Sequence, residues 1–150
     1  MSVAVVYIES TIDNVNESMP KISDSIVQGD KDYNESVELL NTKYFDQSRE
    51  KAISAGDNYN SSLHSLQSIK DQYYKDLNEV HKDYIDTTIK ELELKLKAVE
   101  NLRDAIYYLE MEENYTGSDC GSYANEIMYE ALNYQNERNG IVQNNSKLFS

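Results

Sequence analysis

The chain has 150 residues, 27 acidic and 14 basic side chains, and a net charge of −13 at pH 7. This length fits one domain and is sufficient to bury a hydrophobic core. So acidic a surface repels phosphate backbones and anionic lipids, so we expect neither nucleic acid nor a membrane as a partner.

The cysteine count and the N-terminal sequence bear on the compartment. Cys120 is the single cysteine, which excludes an internal disulfide and a metal site built from several cysteines. The first ten residues lack a basic region, and Glu9 interrupts their apolar run, which argues against a signal peptide. No apolar run approaches the ~20 residues that span a bilayer. We therefore expect a protein of a reducing compartment, the cytoplasm.

A heptad pattern of apolar residues starts almost at the first residue. Steps of three and four connect Val5, Ile8, Ile12, Val15, Met19, Ile22 and Ile26. This spacing places one narrow apolar stripe on a helix and is typical of helices that pack lengthwise on each other. It predicts a first helix over about residues 3–28, with a kink near Pro20 and an end at Gly29.

Capping residues, glycines and apolar spacing predict the later helices. Asp32 and Glu35 form a capping-box pattern for a second helix that ends at Gly56. A third helix follows, and its apolar stripe shifts by one position between Tyr84 and Ile85. This shift predicts a break between about residues 81 and 86, with one continuous helix over residues 57–113 as the alternative.

The C-terminal third contains the clearest predicted loop, over residues 114–121, because glycines and small polar residues cluster there. A last helix is expected from Ser122 to Gly140. We predict an all-α antiparallel bundle of four to five helices, built from helical hairpins with coiled-coil-like seams. Residues 1–140 form its single domain, and residues 141–150 form a C-terminal tail whose apolar side chains could fold back onto the bundle.

His64 lies in the segment Leu63-His64-Ser65-Leu66-Gln67-Ser68. This segment resembles the phosphoacceptor segment of histidine-containing phosphotransfer domains, which are small, often acidic four-helix bundles. The resemblance implies that His64 would accept a phosphoryl group. The family usually has lysine three residues after the histidine and glycine after that, whereas this chain has Gln67 and Ser68.

Three other candidate sites lack residues that their chemistry requires. Residues 30–38 begin like a calcium loop, but Glu35 stands where the loop needs glycine. Cys120 follows Asp119, which would raise the pKa of the thiol, and the sequence indicates no general base that would deprotonate it. The Glu-x-x-His motif of di-iron bundles is missing from the sequence. We therefore predict no catalytic residue, no cofactor-binding residue and no metal ligand.

The long apolar seams and the lack of a reactive cluster favour a non-catalytic protein-interaction or scaffolding module. Its expected partner is a protein, with a second copy of the chain as one possibility. Two alternatives stay open at this stage. One is a phosphotransfer domain that uses His64, and the other is a small secreted or virion-associated helical protein.

Overall fold

The computed structural model describes the backbone of residues 3–149 and the side chains of residues 16–149. Within these limits the chain forms four long helices and no strand, which confirms the all-α bundle. Their bounds are Val3–Asn41 (α1), Phe45–Tyr73 (α2), Glu79–Glu110 (α3) and Asn114–Asn144 (α4). Single 3-10 turns cover Tyr74–Asp76 and Ser146–Leu148.

The four helices are arranged as two antiparallel hairpins, α1 with α2 and α3 with α4. In the first hairpin, Ser36 and Ser48 each donate a hydroxyl hydrogen bond of 2.7 Å to the other's backbone carbonyl. This reciprocal pair fixes the register of α1 against α2 with buried groups. The hairpins dock on each other mainly through α2 and α3, whereas α1 and α4 have little direct contact.

The core lies where the apolar stripes of the helices meet. Met19, Ile22 and Ile26 of the predicted heptad seam are buried, and so are Leu92, Leu102 and Ile106 of α3. The side chains of Val5, Ile8, Ile12 and Val15 lie outside the described residues. Each fully buried Leu or Ile side chain contributes about 1.5–3 kcal/mol by leaving water.

The glycines that predicted helix ends are instead sites of close helix contact. Gly29 lies inside α1, where a Cβ atom would come within 2.6 Å of the Tyr59 ring. Gly56 lies inside α2, with Val99 of α3 3.5 Å from the position of a Cβ. The predicted ends at Gly29 and Gly56 are therefore wrong, because packing of a neighbouring side chain outweighs the modest helix penalty of glycine.

The predicted break is also misplaced. The observed break lies over residues 74–78 and not over residues 81–86. Leu77 has extended backbone angles there, and the Asn78 side chain accepts a 2.8 Å hydrogen bond from the His81 N–H. Asn78 is thus the N-cap of α3. The shift at Tyr84 and Ile85 has another cause, since both side chains are buried on a face of α3 that meets two neighbouring helices.

The connections within the two hairpins contain no glycine. Lys43 and Glu112 take left-handed backbone angles there, with φ of 64° and 62°. Residues 114–121, predicted as a loop, form the first turns of α4, where Gly117 packs against the Leu109 side chain. The expected start at Ser122 is therefore wrong.

The C-terminal segment packs on the bundle. α4 passes through Gly140 and ends at Asn144, so the expected end at Gly140 is wrong. Phe149 then contacts the rings of His81 and Tyr84 at centroid distances of 5.1 and 5.2 Å. The His81 Nε2 atom lies 3.0 Å from the Leu148 carbonyl, which ties the end of the chain to the start of α3.

Candidate functional site

One layer of the bundle is polar, and all four helices contribute to it. We call it the polar layer, and it consists of Asp30 from α1, Tyr59 from α2, Glu91 and Lys95 from α3, and Gln135 and Arg138 from α4. Its two carboxylates and two cations have opposite charges that cancel. Buried charges persist only when they are paired and hydrogen-bonded, so the geometry of the layer decides what it can do.

Lys95 is the centre of the polar layer and is completely buried. Its Nζ atom donates to Asp30 Oδ1 at 2.8 Å and to Gln135 Oε1 at 2.8 Å. The same atom lies 2.8 Å from Glu91 Oε2. One ammonium group therefore connects α1, α3 and α4, although α1 and α4 hardly touch directly.

Arg138 and Tyr59 complete the layer. The Arg138 guanidinium binds Glu91 through Nε at 2.6 Å and Nη2 at 3.2 Å. Burial lowers the pKa of Arg138, but the hydrogen bond and charge of Glu91 outweigh it and leave that pKa above its ordinary value. The Tyr59 hydroxyl donates to Asp30 at 2.6 Å. Burial, followed by the charge of Asp30, raises the pKa of Tyr59, so this phenol stays protonated.

The polar layer has the features of a structural network. Every charged group in it has an opposite charge within hydrogen-bond distance. Electrostatic catalysis needs a cation or donor that is free to stabilise negative charge in the transition state, and both cations of the layer are already bound to carboxylates. Among the described residues, no cluster of three His, Cys, Asp or Glu side chains could hold a metal ion.

A groove lies between α1 and α4, on both sides of the polar layer, and we call it the α1/α4 seam. Toward the hairpin loops it widens into a cavity of about 520 Å³, lined by residues that include Tyr33, Glu38, Tyr129 and Leu132. Toward the C-terminal segment lies a cavity of about 300 Å³, lined by residues that include Pro20, Arg138 and Phe149. The seam exists because each of these helices packs mainly on its hairpin partner.

The α1/α4 seam contains unpartnered groups of two kinds. The Tyr33 hydroxyl is buried and has no hydrogen-bond partner in the described structure. Burial raises the pKa of Tyr33 to about 12, so it remains a donor at neutral pH. Leu132 and Tyr129, which line the larger cavity, are 36% and 72% exposed. A buried hydroxyl without a partner costs roughly 1–3 kcal/mol.

Comparison with known proteins gives no further guide to function. No protein-family model matches the chain, and no curated protein or solved structure is detectably similar to it. None of the helices in the described part of the chain has the length and apolarity that a membrane span requires. Functional arguments therefore rest on the site itself.

The residues singled out from sequence are not brought together. His64 is exposed on α2 and lines a separate cavity of about 510 Å³ with Glu17. Lys70, the nearest basic residue along that helix, binds Asp86 at 2.9 Å. Cys120 lies in α4, and burial, followed by the charges of Asp104 and Asp119, raises the pKa of its thiol.

The calcium-loop pattern of residues 30–38 lies within helix α1. Asp32, predicted as a helix cap, instead accepts hydrogen bonds from Ser54 at 2.6 Å and Asn58 at 3.1 Å on α2. A buried carboxylate bound in this way connects two helices and leaves no flexible loop to wrap a cation. The predicted cap at Asp32 is therefore wrong.

Sequence reasoning overlooked the polar layer, although a signal for it is present. Ile85, Thr88, Leu92, Lys95, Val99, Leu102 and Ile106 are spaced by alternating steps of three and four, and all of them are buried. Lys95 thus occupies a core position of a heptad row. A charged residue at such a position indicates a buried polar contact that fixes how helices pair.

Proposed function

We propose that the chain is a non-catalytic protein-interaction module that binds its partner along the α1/α4 seam. The observation that carries this proposal is a groove whose larger cavity, of about 520 Å³, is lined by the exposed apolar side chains of Tyr129 and Leu132. Exposed apolar residues that share a groove are typical of protein-binding surfaces.

The polar layer supports this role by holding the groove open. Lys95 fixes Asp30 and Gln135 at 2.8 Å from its Nζ atom, so the two walls are connected at mid-length without packing tightly elsewhere. A wall position that is fixed before binding reduces the ordering cost of association. We place the module in the cytoplasm, because its single cysteine needs no oxidising compartment.

Site-specific photo-crosslinking in cells of the organism that produces the protein tests the proposal. A benzophenone amino acid is placed at Leu132 in the seam and, as a matched control, at Ile53 on α2, which lines neither cavity of the seam. The two side chains are similarly exposed, at 36% and 40%. We expect crosslinking to a defined protein from position 132 alone. Equal labelling from both positions, or none from position 132, would refute the proposed surface.

Phosphotransfer through His64 stays an alternative, and a separate assay decides it. Its cavity is lined by Glu17 and contains no Lys or Arg among its lining residues, whereas a phosphoryl group needs positioned cations or donors. We expect no acid-labile label after incubation with acetyl phosphate or a phosphorylated response regulator. Stoichiometric label that disappears in His64→Gln would overturn the interaction module.

A further inference from the structure

The α1/α4 seam has the dimensions of a docking site for a helix. Its α1 wall extends from Pro20 to Glu38, which is about 27 Å at about 1.5 Å per residue, the length of a helix of roughly 18 residues. Both walls are helices that run side by side, and the described residues contain no strand edge that an extended peptide could join. The groove therefore suits the helix-in-groove mode of recognition.

The charges along the seam favour a positively charged ligand. Glu38 lines the larger cavity. Asp30 lies between the two cavities, and its charge is balanced by Lys95 at 2.8 Å. Arg138 is the one cation among the residues that line the two cavities, and its guanidinium is bound to Glu91. With a net charge of −13, the chain attracts cations at long range and repels a second copy of itself.

Apolar groups supply the rest of the surface. Val27 is 64% exposed and lies on α1 between Ser23 and Asn34, which line the two cavities. Tyr129 lines the larger cavity from the α4 side of the groove, with 72% of its surface exposed. Exposed aromatic and aliphatic side chains next to a groove are the usual anchors for the apolar face of an amphipathic helix.

We propose that the partner is a basic amphipathic helix of a different protein, roughly 18 residues long, which lies along the α1/α4 seam as a fifth helix. This inference rests on the proposed function and specifies the chemistry of the partner. The apolar face of the helix contacts Val27, Tyr129 and Leu132. Its cations lie near Glu38, at the margin of the larger cavity.

Binding of a synthetic amphipathic peptide of leucine and lysine to the full chain tests the proposal, with a peptide that has glutamate in place of lysine as the charge control. Val27→Lys and Ile53→Lys are the matched variants, because each makes the net charge one unit less negative at an exposed position. We expect the lysine peptide to bind, and Val27→Lys to weaken it by about tenfold. Ile53→Lys should change the affinity by less than about threefold, since exposed charges contribute little individually.

Each other outcome overturns a defined part of the inference. Equal effects of the two variants would show unspecific attraction to an acidic surface and would refute docking in the seam. Equal or tighter binding of the glutamate peptide would refute the basic partner. Loss of a homodimer in Val27→Lys but not in Ile53→Lys, measured by sedimentation, would assign the seam to a second copy. A crosslink from Leu132 to an acidic or extended segment would refute this inference and leave the proposed function standing.

Discussion

Glu91→Gln removes one negative charge from the polar layer without changing the shape of the side chain. In the native layer, Glu91 is completely buried and binds Lys95 at 2.8 Å and Arg138 at 2.6 Å. After the substitution Lys95 keeps Asp30, but Arg138 loses its carboxylate while it remains largely buried. The layer then carries one uncompensated positive charge away from water.

Removal of one partner from a buried ion pair costs about 3–5 kcal/mol. For a chain of this size, such a loss corresponds to a fall in melting temperature of roughly 6–20 °C. Urea unfolding followed by circular dichroism measures the free energy of unfolding directly. Glu93→Gln is the control, because it makes the same change at an exposed position of α3, and we expect it to stay within about 0.5 kcal/mol of the parent.

A triple variant tests whether an unpaired buried charge causes this loss of stability. Glu91→Leu, Lys95→Met and Arg138→Leu together remove the three most deeply buried charges and leave Asp30, whose side chain is 32% exposed. Such replacements of buried charges are often neutral or stabilising by about 1–4 kcal/mol. We expect this variant to regain most of the stability lost in Glu91→Gln. If the free energy of unfolding of Glu91→Gln lies within about 1 kcal/mol of the parent value, water or a rearrangement compensates the charge of Arg138. The layer is then not a closed network.

Gly29→Ala should destabilise the chain by about 1–3 kcal/mol in urea unfolding, because its Cβ would lie 2.6 Å from the Tyr59 ring. Gly140→Ala, with no atom within 4 Å, should instead stabilise it by about 0.5–1 kcal/mol, and equal signs would contradict the close-contact argument. Because burial raises the pKa of Tyr33 from 10.0 to about 12, the folded state favours the protonated phenol, and the free energy of unfolding falls as pH rises from about 10 toward 12. Tyr33→Phe removes a buried hydroxyl that has no partner, so it should gain about 1 kcal/mol at neutral pH and lose less stability at alkaline pH in unfolding titrations. An unchanged profile would mean that the hydroxyl is hydrated. Phe149→Ala should cost about 1–2 kcal/mol, less than a core phenylalanine since the ring is half-buried, and a parent-like thermal melt would show that the C-terminal segment does not contribute to stability.

The sequence by itself determined the fold class and part of the core. The heptad spacing of Met19, Ile22 and Ile26 correctly placed a buried stripe on α1, because helical periodicity is a local property of the chain. The single cysteine and the acidic composition likewise limited the available chemistry without reference to any contact. Helix ends at glycine were predicted less well, since Gly29 and Gly56 lie inside helices against neighbouring side chains.

Only the tertiary structure decided where the helices break, how the hairpins pair and where a groove lies between them. A glycine can end a helix or admit a neighbour, and the choice depends on a side chain such as Tyr59 that is 30 residues away in sequence. Asp30 and Arg138 look like ordinary surface charges in the sequence, and only the packing of α1 and α4 on α3 brings them to Lys95 and Glu91. The α1/α4 seam is equally non-local, because it arises from two helices that each pack on another partner.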